Sequence, residues 1–186
     1  PLRPYIDNLD CLPFPDKELY YEIVPKYRNG YTIITRRGCP NRCSYCHTTI
    51  WQMRYPEEKK RIRLRSIENV FQELSLAKKK YNFRLLRIND DLFTYDKNWL
   101  KEFSLRYEKE IGVPLYCFGS PSTINENVIK YLKKAGCYQL CLGVQSINMK
   151  IRKEILHRED SNEQIKEAIT LCRKYRIRCV ADNIIG

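Results

Sequence analysis

Five short β-branched or apolar runs, separated by segments with helical spacing, limit what this chain can fold into. Tyr31 to Thr35, Arg84 to Ile88, Pro114 to Phe118, Tyr138 to Leu142 and Ile177 to Ile185 read as strands. Between them, Ser66 caps a helix that presents Ile67, Val70, Phe71, Leu74, Ala77 and Tyr81 on one face. Asp96 caps a second helix, carrying Trp99, Leu100, Phe103 and Tyr107 and stopping near Gly112. Thr123-Ile-Asn-Glu126 and Ser161-Asn-Glu-Gln164 read as capping boxes; the first helix ends at Gly136, and the second buries Ile165, Ala168, Ile169 and Cys172. Asn148 to Leu156 reads as one more short helix. A helical crossover returns the chain in the same direction, so neighbouring strands pair in parallel with right-handed connections. The expectation is an α/β fold, a partial (β/α)6 TIM-like barrel with about five of its parallel strands present.

In such folds chemistry gathers at the C-terminal ends of the strands. Here those ends hold a cysteine loop, Asp90 and Asp91, Ser120, Gln145 and Ser146, and Gly186. The loop, Gly38 to Thr49, spaces Cys39, Cys43 and Cys46 as C-x3-C-x2-C in a polar, turn-rich stretch. Three thiolates from one loop can each take one iron of a cubane cluster and leave the fourth iron open to a chelating amine and carboxylate. Other readings fit parts of the motif. Structural zinc prefers four ligands, and His47 directly follows Cys46 where its ring would strain to share the metal. Cys43 to His47 also satisfies CxxCH, the c-type haem attachment sequence, but that leaves Cys39 without a role. Two packed or redox cysteines beside a bystander is the third alternative.

Composition narrows the setting. The chain has 186 residues, one domain's worth, and no run of eighteen apolar residues, so the expected location is the cytoplasm. Nine cysteines, an odd number scattered through a βα pattern, argue against a secreted disulfide scaffold. Cys11, Cys117, Cys137, Cys141, Cys172 and Cys179 read as reduced core residues. The net charge of +12 is concentrated between Arg54 and Arg87, where eleven Lys/Arg face four Asp/Glu. Nucleic acid is one partner for such a surface, but a solvated lysine-rich face is favoured, because no aromatic-interleaved RNA module accompanies it.

Gly38 to Cys46, with aromatic Tyr45 directly before the third cysteine, resembles the CxxxCxΦC cluster loop of radical S-adenosylmethionine (radical SAM) enzymes, matching every constrained position. The resemblance implies a 4Fe-4S cluster on Cys39, Cys43 and Cys46, with S-adenosylmethionine chelated at the open iron and cleaved reductively to methionine and a 5'-deoxyadenosyl radical. Asn89-Asp90-Asp91, followed by Leu92-Phe93-Thr94, stands where the family has a Gly-Gly-Glu-like motif for the methionine amine, and resembles the DDxFT variant of cobalamin-type members. By the same resemblance Ser120 and Gln145 contact the ribose and the methionine carboxylate, and Arg158 pairs with that carboxylate. Ile184 and Gly186 match the IxG segment that packs on adenine, with the backbone of Tyr45 on its other side.

Residues 1–30 hold five of the nine prolines and read as an extended lead-in, leaving 31–186 as the core domain. Within the lead-in, Leu9-Asp-Cys-Leu-Pro-Phe-Pro-Asp16 resembles the linker that joins a cobalamin-binding domain to the radical domain in cobalamin-type members. Cobalamin then becomes an expected further cofactor, bound by a domain preceding Pro1, with methyl transfer or rearrangement as the chemistry. Relatives continue past Gly186 with a proline, a glutamate and a sixth strand, so the core is expected to be truncated at its C-terminus. A reductant such as flavodoxin or ferredoxin is the implied protein partner. The alternatives are a tRNA-modifying methylthiotransferase-like radical enzyme, an iron-sulfur electron carrier and a zinc-binding nucleic-acid module.

Overall fold

The computed structural model describes residues 3–4, 6–55 and 62–185; Pro1, Gly186 and residues 56–61 of the basic segment lie outside the described residues. Strands β1 (Gly30–Ile33), β4 (Leu85–Ile88), β5 (Leu115–Gly119), β6 (Cys137–Gln145) and β7 (Arg178–Asn183) form one sheet in that order, and every pairing is parallel. Neighbours in sequence are neighbours in space, the order of a barrel segment. A two-stranded antiparallel ribbon, β2 (Arg36–Arg37) with β3 (Arg63–Leu64), stands apart from it.

The helices follow the expected pattern with one shift. Helix α3 (Ile67–Tyr81) is capped by Ser66 Oγ, which accepts from Asn69 N at 3.1 Å, and it ends at Asn82 in a left-handed conformation. Helix α4 (Lys97–Glu110) is capped by Asp96, which accepts from Asn98 N and Trp99 N. Its buried face stacks Trp99, Phe103 and Tyr107 in register, and Phe93 meets Phe103 edge-on at 5.4 Å. Helix α5 (Glu126–Lys134) begins later than its sequence signal suggests. Pro121 starts a 3-10 turn that consumes Thr123, so the cap is Asn125, which accepts from Val128 N at 3.1 Å. Ser161 and Gln164 form the expected capping box of α6 (Asn162–Lys174). Within 148–156 the regular element is one π turn, Ile151–Ile155.

The lead-in departs from its extended expectation. Pro13 and Pro15 precede a helix and Pro25 opens a 3-10 turn, positions that need no proline N–H, and the chain forms α1 (Glu18–Ile23) between 3-10 turns at Leu9–Cys11 and Pro25–Asn29. These elements pack on the core through buried Leu9 and Tyr21. They also cover the open edge of β1: Tyr21 Oη donates to Gly30 O at 3.0 Å, and Lys17 Nζ donates to Thr32 O. Those carbonyls point away from β4, so the lead-in satisfies an edge that would otherwise invite pairing.

All nine cysteines are free; Cys117, Cys137, Cys141 and Cys172 are buried and Cys179 partly so, as expected, whereas Cys11 is exposed on its 3-10 turn rather than in the core. No helix among the described residues is long and apolar enough to cross a membrane. The lead-in also reaches α3, where the Asp10 carboxylate accepts from Ser66 N at 3.0 Å, one residue before the helix. Asp10→Ala should cost about 1 kcal/mol, read as a lower urea midpoint at unchanged slope.

Candidate functional site

The cysteine loop leaves the ribbon at Gly38, whose φ of 92° turns the chain where a side chain would be strained. It ends at α2 (His47–Arg54), with Cys46 as the N-cap. Its backbone is held from both sides. Thr49 Oγ1 donates to Cys43 O at 2.7 Å, and Gln52 Nε2 donates to Cys39 O and Asn41 O. From across the sheet, Ser44 N donates to Leu156 O at 3.2 Å and Ser44 Oγ to Ile155 O at 2.6 Å. The π turn after β6 is therefore a clamp on the cysteine loop, a role nothing in its sequence announces.

Cys43 is buried, while Cys39 and Cys46 are partly exposed, and burial pushes the Cys39 thiol up to about 11. Among the described residues no three His, Cys, Asp or Glu side chains are gathered tightly enough to hold a single metal ion. A cubane makes a different demand, one thiolate for each of three irons, and the donor set of three thiols on a pinned loop fits it.

The structure places Asp90 and Asp91, both expected at the site, in different surroundings. Asp90 is buried and faces away from the opening: its carboxylate accepts from Thr35 N at 2.6 Å, Thr35 Oγ1 at 2.5 Å and Arg36 N at 3.3 Å, with Arg36 Nε at 3.5 Å. Burial pushes its carboxyl up, against the pull of those donors and of Arg36. Arg36 is itself buried over the Trp99 ring, and Asp90 is its ion-pair partner. Asp90 thus ties the end of β4 to the turn out of β1 and cannot also face a ligand. Asp91 is exposed, with Thr48 Oγ1 of α2 at 3.5 Å, and it is the carboxylate that remains available.

Ser120 and Arg158, 38 residues apart, meet at the end of β5. Arg158 Nη2 donates to Ser120 Oγ at 3.0 Å and to Asp160 Oδ2 at 2.6 Å, and Nη1 lies 3.7 Å from Cys43 Sγ. Asp160 also accepts from Ser120 Oγ at 2.8 Å and Ser122 N at 2.9 Å. Burial alone would raise its carboxyl, but Arg158 and the serine donors hold it below its ordinary value. Asp160 was missed in the sequence; the charged triplet Arg158-Glu159-Asp160 directly before the Ser161 cap was the available signal. Arg152 was missed too: it is fully buried and donates to Ser146 O, Asp160 O and Asn162 Oδ1.

Gln145 has a φ of 67°, uncommon for a side chain, and its amide folds back over Gly143. A Cβ on Gly143 would stand 3.0 Å from Gln145 Nε2 and 3.6 Å from Arg158 Nη1, so the missing side chain makes room for both groups. Ile184 N donates to Gln145 O at 2.9 Å, leaving the Ile184 side chain half exposed at the rim. Gly186, its expected companion, lies outside the described residues. Burial raises the Tyr45 phenol to about 12, with Cys43 and Arg158 beside it. Its side chain therefore stands beside both the cysteine loop and the Arg158 guanidinium.

A parallel sheet of sequential strands with three cysteines on one strand-end loop, backed by a guanidinium and carboxylates, defines an iron-sulfur enzyme of the partial-barrel class. The description "Radical SAM superfamily" matches residues 33–186, and the chain belongs to that superfamily, whose enzymes use a 4Fe-4S cluster and S-adenosylmethionine. An uncharacterized methyltransferase of Pyrococcus horikoshii is 30% identical over 193 residues, spanning 100% of this chain and 40% of the relative. The cytidylyl-2-hydroxyethylphosphonate methyltransferase of Streptomyces wedmorensis is 26% identical, across 100% of this chain and 36% of its own length. The chain thus spans well under half of these curated relatives. Among solved structures, the cobalamin-dependent S-adenosylmethionine radical enzyme OxsB with aqua-cobalamin bound aligns at a TM-score of 0.76 and 19% identity, over 93% of this chain and 26% of that one. The radical S-adenosylmethionine methyltransferase TsrM from Kitasatospora setae aligns at 0.71 and 22%, over 88% and 32%. At these identities the likeness is one of fold.

Two outcomes follow from the buried ion pairs. Asp90→Ala leaves Arg36 buried without its partner and should cost about 3–5 kcal/mol, measured by denaturant unfolding. Asp160 has a lowered pKa, so its contribution to stability is full above the ordinary carboxyl value and is lost as pH falls through the lowered one. The unfolding midpoint should therefore fall below about pH 4, and Asp160→Asn should flatten that acid limb in a pH series of thermal melts.

Proposed function

We propose that this chain is the catalytic core of a cobalamin-associated radical SAM methyltransferase. The observation that carries the reading is Arg158: one guanidinium, brought by the loop after β6, stands against Cys43 of the cluster loop and Ser120 just past β5, with its buried Nε unpartnered. A buried donor without an acceptor is costly, and a ligand carboxylate would satisfy it.

In this reading Cys39, Cys43 and Cys46 hold the 4Fe-4S cluster, which when bound supplies the electron for reductive cleavage of S-adenosylmethionine. Arg158 receives the methionine carboxylate through Nε, while Asp160 fixes the guanidinium plane by a charge-assisted bond and Ser120 braces its other edge. Asp91 accepts from the methionine amine, in place of the inward-turned Asp90. Gln145, held over Gly143, takes the ribose hydroxyls, and Ile184 with the backbone of Tyr45 borders the adenine. Gly186 retains its proposed place beside Ile184. None of these groups needs to transfer a proton; their work is to orient the ligand before reaction, which reduces the entropic part of the barrier.

The cobalamin would come from a region beyond this chain, as the LDCLPFPD lead-in suggests, and the similarity to methyltransferases supports methyl transfer as the outcome. A flavodoxin- or ferredoxin-like reductant supplies electrons. Nine free thiols suit a reducing compartment such as the cytoplasm. Anaerobic reconstitution with iron and sulfide, then dithionite and S-adenosylmethionine, should yield 5'-deoxyadenosine by mass spectrometry. Cys43→Ala should abolish both cluster absorbance and product, while Arg158→Ala should keep the cluster and weaken S-adenosylmethionine binding about ten- to a hundredfold. Zinc uptake in place of iron by the wild type would overturn the reading.

A further inference from the structure

Below the strand ends, the concave face of the sheet carries a second recognition feature that the cofactor seat does not use. Register across the sheet sets Thr32, Arg87, Tyr116 and Gln139 in one row, with Phe118 and Cys141 in the row above. Arg87 lies one residue before the end of β4, below the strand-end turn that carries Asp91. Its guanidinium stands over two rings at once, 5.5 Å from the Tyr116 centroid and 5.6 Å from Phe118. The residue is exposed, and among the described residues no carboxylate lies within ion-pair distance of it.

An exposed arginine without a carboxylate partner, standing over two aromatic rings, is arranged to bind a planar or tetrahedral oxyanion. Arg87 also borders a cavity of about 900 Å³, lined at the side by Tyr20 and Tyr27 of the lead-in and by three more cations, Lys17, Lys26 and Arg84, with one carboxylate, Asp16. The chamber is large enough for a substantial ligand, and its walls combine ring surfaces with positive charge. With four cations against one carboxylate the lining keeps an excess of positive charge, which a neutral, purely apolar ligand would leave without counterpart.

We propose that Arg87 is the specificity-determining residue of the substrate chamber and that the substrate is an organic anion, with a carboxylate or phosphoryl group on Arg87 and its apolar or aromatic body against Tyr116 and the lead-in tyrosines that line the same cavity. This rests on the reading of the strand ends as the cofactor seat, because the strands that carry Arg87 and Tyr116 run up to that seat. Aromatic residues on the chamber wall then select the body, and Arg87 sets the charge and depth.

The test is binding of 1-naphthyl phosphate and 1-naphthoate against neutral 1-naphthol, by calorimetric titration of wild type, Arg87→Gln, Arg87→Lys and the exposed control Lys109→Gln. Wild type and Lys109→Gln should bind an anion at least about tenfold more tightly than naphthol, and the tighter of the two anions identifies the head group. Arg87→Gln should remove that preference while leaving naphthol affinity unchanged. Arg87→Lys should restore part of it, because charge returns without the planar fork. Equal affinity of wild type for anion and naphthol, loss of the preference in Lys109→Gln, or an anion preference retained by Arg87→Gln would overturn the proposal. The functional reading fails separately, by wild type that takes up no iron or leaves S-adenosylmethionine intact. Arg87→Gln should keep both iron uptake and cleavage at wild-type level, since Arg87 lies below the cofactor seat.

Discussion

The structure depends on a buried carboxylate. Asp90 closes the end of β4 by accepting from the backbone and hydroxyl of Thr35 and from the backbone of Arg36, where the chain leaves β1 for the ribbon and the cysteine loop. Fixing that departure fixes where three thiols can stand. The arrangement is costly in isolation, since both Asp90 and Arg36 are removed from water. It persists because several neutral donors and the Trp99 ring share the burden. A residue that resembles a cofactor ligand in sequence is therefore part of the frame, and its neighbour Asp91 is left facing the opening.

A second tie crosses the molecule. The loop after β6 reaches back to the cysteine loop twice, by the π turn holding Ser44 and by Arg158 lying against Cys43. Arg152 and Asp160 brace that loop from beneath, so the guanidinium of Arg158 is set before any ligand arrives. Preorganised donors bind without the entropic cost of assembling them. The strained φ of Gln145 and the bare Gly143 belong to the same economy of space, letting an amide and a guanidinium share one strand end.

The lead-in makes a different contribution. It satisfies the outward carbonyls of β1 and supplies Asp10 to the start of α3, so the open side of a five-stranded sheet is covered by its own chain. Tyr20 and Tyr27 from this segment also wall the chamber in which Arg87 stands. A segment whose sequence suggested only a connector thus joins the sheet edge to the proposed substrate space.

Period and punctuation made much of the architecture legible. Alternating strands and amphipathic helices required parallel pairing, Ser66, Asp96 and Ser161 marked helix starts correctly, and C-x3-C-x2-C located the loop, because all of these depend on residues close together in the chain. Thr123 misled because a proline-initiated 3-10 turn competed locally for the same hydroxyl, and the proline-rich lead-in concealed a helix because its prolines occupy positions that tolerate them. The identity of the available carboxylate, the Asp160 brace, the Arg152 support and the Arg87 platform were decided only by tertiary structure. Each depends on which way a side chain turns at a strand or its end; for Asp90 and Asp160 that is set by partners 40 or more residues away, Thr35 and Ser120, and for Arg87 by rings on the neighbouring strand. Sequence spacing carries no record of those distances.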